Sequence, residues 1–297
     1  MKSLVQWLAV LAAAGILLPA SGVCAEPTVT RDLEYARAGE TSLQLDLYVP
    51  PDVATPRLIV WVHGGAWRSG SKKDVPILPL TDRGFAVASV DYRLSPVAPY
   101  PAQVHDLKAA IRYLRGTAGK TGIDPRHIAI AGGSAGGHLA ALVGVTNGSS
   151  AHEGDLGEHR GVSSNVQAII DFFGPTNLTT ILAQSTPHGL SVRAPALELL
   201  FGGKPEDKIE LARLASPVLQ VDRSEPPLLI FHGDQDPQVP INQAHELVGA
   251  YKKQGLAATF EVVYGGAHGG KLFYTPEQLD QVAGFLDAHL QPAKSQP

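Results

Sequence analysis

Three polar residues in three separate loops have the types that together activate a nucleophile. Ser134 lies in Gly132–Gly136, which fits the pattern G-x-S-x-G. A serine hydroxyl becomes nucleophilic when a histidine takes its proton and a carboxylate orients that histidine. The candidate partners are His268, in VVYGGAHGG, and Asp236, in LLIFHGDQDPQVP. These residue types predict acyl transfer through a covalent serine intermediate, with Ser134 as nucleophile, His268 as base and Asp236 as acid.

The segment around Ser134 has the context that such a serine needs. An apolar run precedes it and an alanine-rich run follows it, which predicts a sharp turn from a strand into a helix. Only small residues fit two positions to either side of a serine held in such a turn. A packing turn with an incidental serine is the alternative interpretation. A phosphate-binding loop is disfavoured because no G-K-[ST] follows the glycines.

Two aspartates compete for the role of the acid. Asp234 directly follows Gly233, which favours a turn-forming residue that bonds nearby backbone. Asp236 lies deeper in the loop and is favoured as the acid. We interpret His232 as a polar residue at a strand end, and His138, in the helix after the serine, as a packing or supporting residue.

A fourth segment, VHGGAWRSG, follows the apolar run Leu58–His63 and predicts an oxyanion hole. Backbone N–H groups stabilise the oxyanion, so small residues are needed where substrate approaches. Gly65 and Ala66 are the candidate donors from this loop, and Ala135 is the candidate donor beside the serine. A simple glycine turn is the alternative. Trp67 is a candidate for the substrate pocket, where it could stack on an aromatic acid or a sugar, or simply pack.

Strand-like and helix-like segments alternate along the chain, which predicts a mostly parallel sheet with helices on both faces. Two patterned runs at the start predict an antiparallel pair. The predicted strands are Thr28–Arg37, Leu43–Val49, Leu58–His63, Phe85–Asp91, His127–Gly132, Val166–Phe173, Leu228–His232 and Thr259–Tyr264. The predicted helices are Val104–Arg115, Ala135–Val145, Ile241–Lys253 and Pro276–Leu290.

The domain organisation predicted from the sequence is simple. Residues 1–25 have the charged start, apolar run and small-residue end of an export signal, so we expect a periplasmic or secreted protein. Residues 26–297 are predicted to form a single domain, with a small cap-like insertion at about 176–223 over the strand ends. After signal cleavage we expect no stable membrane association. Cys24 is the only cysteine, so cleavage after Ala25 would leave no disulfide and no cysteine metal ligand.

Composition narrows the classes of function. The chain has 297 residues, of which 44% are hydrophobic, so it can bury a large core. The formal net charge is -4 and no basic patch stands out, which argues against nucleic acid as a partner. The proposed chemistry needs no metal and no organic cofactor.

The combined motifs resemble those of the α/β-hydrolase esterases. The similarity is greatest to the bacterial carboxylesterase branch related to hormone-sensitive lipase and to feruloyl-esterase-like (BD-FAE-like) enzymes. It rests on HGGAWRSGSK, VDYRLSP, YPAQVHD, IDPRHIAIAGGSAGGHLAAL, ASPV, HGDQDPQVP and GGAHG, and it covers about Leu43 to Leu290. The resemblance implies the α/β-hydrolase fold, with about eight strands, and the same catalytic and oxyanion residues. Many relatives have a third glycine where Ala66 stands.

The resemblance also implies an exported serine carboxylesterase that acts on short-chain or aromatic esters, either small molecules or esters linked to polysaccharides. A prolyl-oligopeptidase-type peptidase would carry a similar serine turn, but usually with a large extra domain. An arylformamidase would carry a similar HGGxW loop, although its substrate is handled inside cells. An inactive hydrolase-fold binding protein is the alternative from another class. The sequence indicates that Asp91 and Arg93 form a supporting polar network and that Asp106 is structural.

Overall fold

A computed structural model describes residues 26–290 of the chain, which form an eight-stranded sheet flanked by helices. The strands are β1 (Thr28–Ala38), β2 (Thr41–Val49), β3 (Leu58–Val62), β4 (Ala86–Val90), β5 (Ile128–Gly133), β6 (Ala168–Phe172), β7 (Leu228–Gly233) and β8 (Ala258–Val263). The α-helices are α1 (Ala102–Gly116), α2 (Ala118–Thr121), α3 (Ala135–Gly144), α4 (Ser150–Glu153), α5 (Ile181–Gln184), α6 (Pro187–Phe201), α7 (Ile209–Leu214), α8 (Asn242–Gln254) and α9 (Pro276–His289). Short 3₁₀ segments lie at Leu78–Arg83, Pro205–Asp207, Pro217–Leu219 and Lys271–Phe273.

The strands are ordered β1-β2-β4-β3-β5-β6-β7-β8 across the sheet. β2 pairs antiparallel with both β1 and β4, and each pair from β4 through β8 is parallel. The predicted antiparallel start and parallel remainder are therefore confirmed. Since parallel strands end at one edge of the sheet, the loops after β3, β5, β7 and β8 meet there.

Helices cover both faces of the sheet, as the apolar runs predicted. On one face, Leu107 of α1, Leu139 of α3 and Leu247 of α8 belong to a single buried cluster. On the other face, Leu80 and Leu286 of α9 belong to a second cluster. Every residue of β3, β4 and β5 is buried, as expected for strands packed on both sides. This two-layered core fixes the strand ends that carry the candidate site.

The insertion predicted at about 176–223 contains α5, α6 and α7. Its sequence pattern was weak, but α6 is a regular helix of 15 residues with Pro195 inside it. The Thr186 side chain caps the helix by accepting from the Gly189 N–H, and its hydroxyl also donates to the Pro237 carbonyl. The start of α6 is thus tied to the loop that carries Asp236.

The predicted export signal, residues 1–25, lies outside the described residues. Within residues 26–290, no helix combines the length and the apolar character that a membrane span requires.

Candidate active site

Ser134 lies at a strained turn between β5 and α3. Its backbone has φ 56° and ψ -119°, a conformation that residues with a Cβ rarely adopt. Gly132 and Gly136 permit the turn because of close backbone contacts. A Cβ at Gly136 would lie 2.0 Å from the Val62 carbonyl oxygen, and a Cβ at Gly132 would lie 2.3 Å from the Gly136 carbonyl oxygen. These distances give the physical reason for the two outer glycines of G-x-S-x-G.

The structure brings Ser134, His268 and Asp236 into one chain of hydrogen bonds. The Ser134 hydroxyl donates to Nε2 of His268 over 2.7 Å. Nδ1 of His268 donates to Oδ2 of Asp236, also over 2.7 Å. Each residue follows the carboxyl end of a different strand: β5, β8 and β7. This geometry allows a proton to pass from Ser134 to His268 while Asp236 holds the ring.

The surroundings of Asp236 keep it ionised. Its side chain is fully buried, and burial alone would raise its pKa. Hydrogen bonds from His232, His268 and the Val239 N–H outweigh burial and hold the pKa of Asp236 well below its usual range. Oδ1 accepts from the N–H groups of Gln238 and Val239, at 2.8 and 2.9 Å. Asp236 is thus fixed as an anion beside His268.

The base is held in its neutral form. Burial lowers the pKa of His268, and the Asp236 carboxylate opposes that shift without cancelling it. The ring packs edge-on against Phe173, with centroids 5.2 Å apart. A neutral ring that accepts at Nε2 is the state that a general base requires.

His232 was interpreted only as a polar residue at a strand end, but its side chain contacts the catalytic acid. Its Nε2 lies 2.9 Å from the Val239 carbonyl oxygen and 3.4 Å from Oδ2 of Asp236. It therefore approaches the same carboxylate oxygen that accepts from His268. Asp234 does form a turn contact, but across to another loop, because its Oδ1 accepts from the Gly265 N–H at 2.7 Å.

The loop after β3 has unusual backbone geometry at the predicted oxyanion residues. Gly65 has φ 111°, Ala66 has φ 52° and Trp67 has φ 60°. Ala66 is therefore in a left-handed conformation, which glycine adopts without strain. Gly65 and Ala66 line the same cavity as Ser134. Ala135 begins α3, and its N–H has no acceptor among residues 26–290.

The prediction that Trp67 lines the substrate pocket is wrong in this structure. Trp67 is fully buried and is not among the cavity-lining residues. Its indole N–H donates to Nδ1 of His138 over 3.1 Å, and Nε2 of His138 donates to the Ala215 carbonyl. Burial lowers the pKa of His138 to about 4, so the ring stays neutral. The positive φ of Trp67 turns its side chain into the core, where it joins the oxyanion loop to α3 and the insertion.

The polar residues after β4 support the site from behind. Arg93 donates to both carboxylate oxygens of the buried Asp106, at 2.6 to 3.0 Å. Asp91 accepts from the Lys72 N–H at 2.7 Å, which fastens the far end of the oxyanion loop. The structural role predicted for Asp106 fits this ion pair, but the predicted network of Asp91 with Arg93 is not found among residues 26–290, because each has separate partners.

Ser134 opens into a cavity of about 870 Å³. Sequence reasoning missed several residues that line it, among them Phe173, Arg193, Lys271 and Tyr274. Phe173 is the last residue of the predicted strand Val166–Phe173, and strand-end position is a signal that could have found it. Tyr274 lies just before α9, where no strand-end signal marks it. Arg193 comes from α6, where no local pattern marks it.

A mostly parallel sheet, a serine in a strained turn after a central strand, and a histidine and an aspartate at later strand ends define an α/β-hydrolase. A comparison with known protein families leads to the same class. The BD-FAE family model matches residues 45–251, more than half of the chain, and the chain belongs to the BD-FAE family of α/β-hydrolase esterases.

Individual relatives and solved structures agree with this assignment. The chain is 31% identical to esterase LipQ of Mycobacterium tuberculosis, over 80% of this chain and 56% of that protein. The chain spans about half the length of the curated relatives it matches. A truncated carbohydrate esterase from gut microbiota superposes with a TM-score of 0.81 at 35% identity, covering 90% of this chain and 97% of that one. Esterase Est2 of Thermogutta terrifontis superposes with a TM-score of 0.71 at 28% identity, covering 91% of this chain and 95% of that one.

Proposed function

We propose that this protein is an exported serine carboxylesterase that hydrolyses short-chain or aromatic esters through an acyl-enzyme. The observation that carries this proposal is the continuous hydrogen-bond chain from Ser134 through His268 to Asp236, with both links at 2.7 Å. Ser134 and His268, at one end of this series of hydrogen bonds, line a cavity large enough for a small ester.

In the first half of the reaction, Nε2 of His268 takes the hydroxyl proton as Oγ of Ser134 attacks the ester carbonyl. The carbonyl π electrons move to oxygen and form a tetrahedral oxyanion. Asp236 stabilises the positive imidazolium through the Nδ1 hydrogen bond. The oxyanion then collapses, the C–O bond to the alcohol breaks, and His268 gives its proton to the leaving oxygen.

In the second half, His268 removes a proton from water, which attacks the acyl-Ser134 carbonyl. Collapse of the second oxyanion releases the acid and returns the proton to Ser134. The N–H groups of Gly65, Ala66 and Ala135 donate to both oxyanions, and each such donor stabilises the transition state by about 3 kcal/mol.

The substrates we propose are small esters or esters linked to polysaccharides. The name of the gut carbohydrate esterase supports the second group. Export would bring the enzyme to such esters outside the cytoplasm, and the signal-like residues 1–25 support it. N-terminal sequencing of the mature protein from a secreting host tests the export step, because an intact Met1 would contradict cleavage.

The nucleophile is tested with Ser134→Ala and a short-chain p-nitrophenyl ester. Turnover should fall by roughly 10⁶-fold, because removing the serine alone costs about as much activity as removing the whole triad. The activity that remains comes from the oxyanion hole and substrate binding. A fluorophosphonate probe should label the wild type and leave the variant unlabelled. Retained turnover would refute the role of Ser134, and an unlabelled wild type would favour a binding protein. Matched amide and ester panels separate an esterase from a peptidase or an arylformamidase.

A further inference from the structure

The cavity beside Ser134 contains a buried cation without a matching anion. Arg193 of α6 lines the cavity and is only 1% exposed. Within residues 26–290, its Nε and Nη1 atoms have no hydrogen-bond partner, and no carboxylate lies within ion-pair distance of the guanidinium. Its ring contact is with Trp67, whose centroid lies 5.8 Å from the guanidinium carbon. Buried charges in proteins are ordinarily paired, because an unpaired one loses its hydration without compensation.

Other guanidinium groups in this chain show the usual solution. Arg112 is similarly buried, and it contacts the Glu153 carboxylate and donates to the Leu156 carbonyl over 2.9 Å. Arg93 has both oxygens of Asp106. Arg193 alone of these three has no carboxylate partner. The two other arginines thus have carboxylate partners, whereas Arg193 at the cavity wall has none among residues 26–290.

The carboxylate that attracts Arg193 already has other hydrogen-bond partners. Asp236 attracts Arg193 electrostatically, but its Oδ2 accepts from His268 and its Oδ1 accepts two backbone N–H groups. Burial lowers the pKa of Arg193 to about 10, which leaves the group charged at neutral pH. The guanidinium is therefore a charged donor with free N–H groups beside the catalytic base.

Most of the other charged residues of the cavity wall are also positive. Arg68 and Lys271 also line the cavity, whereas Asp74 is the one carboxylate among its lining residues in the described part of the chain. A concave wall with an excess of cations attracts anionic ligands and opposes cationic ones.

We propose that Arg193 is a specificity-determining residue that binds a carboxylate carried by the ester substrate. The substrate class is then anionic esters, with the carboxylate on either the acyl or the alcohol side of the scissile bond. The planar guanidinium can bind both oxygens of a carboxylate, which an ammonium group cannot do with the same geometry. This proposal rests on the proposed ester hydrolysis, and it assigns a recognition role to the insertion.

Two matched substrate pairs test the proposal and locate the carboxylate. On the alcohol side, 4-acetoxybenzoate is compared with 4-acetoxybenzamide. On the acyl side, monomethyl adipate is compared with its neutral carboxamide, and hydrolysis is followed by pH-stat. In each pair the distal carboxylate is replaced by a neutral carboxamide of similar size, so comparison of the variants on the same pair cancels intrinsic differences in reactivity. We expect the wild type to prefer the carboxylate in at least one pair by about 10- to 100-fold in kcat/KM, the range for a hydrogen bond to a charged group.

Variants then identify the residue responsible. Arg193→Met keeps an unbranched apolar stem without the guanidinium and should reduce the preference to about one, and Arg193→Lys should retain part of it. Arg213→Met, on the exposed face of α7, is the matched control and should keep the wild-type ratio. Circular dichroism checks that each variant is folded. If Arg193→Met does not fold, a reduced ratio in Arg193→Lys supports the proposal and an unchanged ratio overturns it.

The outcomes separate this proposal from the proposed function. A wild type that hydrolyses both members of each pair equally is an esterase without carboxylate recognition, which overturns the role of Arg193. A preference that survives in Arg193→Met assigns recognition to another cation. If the wild type hydrolyses no ester at all, including p-nitrophenyl acetate, the proposed function itself fails.

Discussion

The strain at Ser134 predicts that its replacement by glycine stabilises the fold more than its replacement by alanine. Both Ser134→Gly and Ser134→Ala remove the hydroxyl and its hydrogen bond to His268. Only glycine also removes the Cβ that makes φ 56° and ψ -119° unfavourable. The difference between the two variants therefore isolates the backbone strain from the loss of the hydroxyl.

The expected difference follows from two opposing effects. A residue held in such a region stores about 1–3 kcal/mol of strain. Glycine also lowers the free energy of unfolding by about 0.4–1 kcal/mol relative to alanine, because it makes the unfolded chain more flexible. The net expectation is a Ser134→Gly variant that is more stable than Ser134→Ala by about 1 kcal/mol, and neither variant should turn over ester.

Urea unfolding followed by circular dichroism measures this difference, provided that both variants have the same m-value. The matched control is the same pair of substitutions at Ser191, an exposed residue inside α6. There glycine should be less stable than alanine by about 1 kcal/mol, so the sign reverses. A Ser134→Gly variant no more stable than Ser134→Ala would show that the turn is not strained in solution.

Two further predictions concern the base and the turn. Because burial lowers the pKa of His268 and only the neutral ring accepts the proton, kcat/KM for p-nitrophenyl acetate should decline only below pH 6.5. An acidic limb centred at or above pH 6.5 in the pH–rate profile would contradict this sign. Gly136→Ala should destabilise the fold by about 3 kcal/mol or more, because its Cβ would lie 2.0 Å from the Val62 carbonyl oxygen. Gly119→Ala, where a Cβ meets nothing within 4 Å, should unfold at the same urea concentration as the wild type or higher.

The order of the elements could be predicted because its signals are local. Strands buried on both faces read as continuous apolar runs, and β3 through β7 lie within two residues of the predicted bounds. The loop residues Ser134, Asp236 and His268 follow three of these strands. Their meeting at one sheet edge is a consequence of parallel strand order, which the alternation of strands and helices already implied.

The contribution of the insertion could not be predicted, because its signals are tertiary. Pro195 and the exposed Leu190 and Leu199 obscure the apolar face of α6, so its helical pattern is weak. Only the packing of α6 beside the loop of Asp236 brings Arg193 to the cavity. The prediction for Trp67 was wrong for a related reason. The direction of its side chain depends on a left-handed backbone that the sequence alone does not reveal.

The unpaired charge of Arg193 also bears on catalysis. Its positive charge lowers the pKa of His268, and so it opposes the imidazolium that forms when Ser134 attacks. A neutral ester leaves that opposition in place. A substrate carboxylate bound to Arg193 would offset the charge and make His268 a stronger base only when the matching substrate is present. Recognition by Arg193 would then raise kcat as well as lower KM, because the same contact that holds the substrate favours the charged transition state.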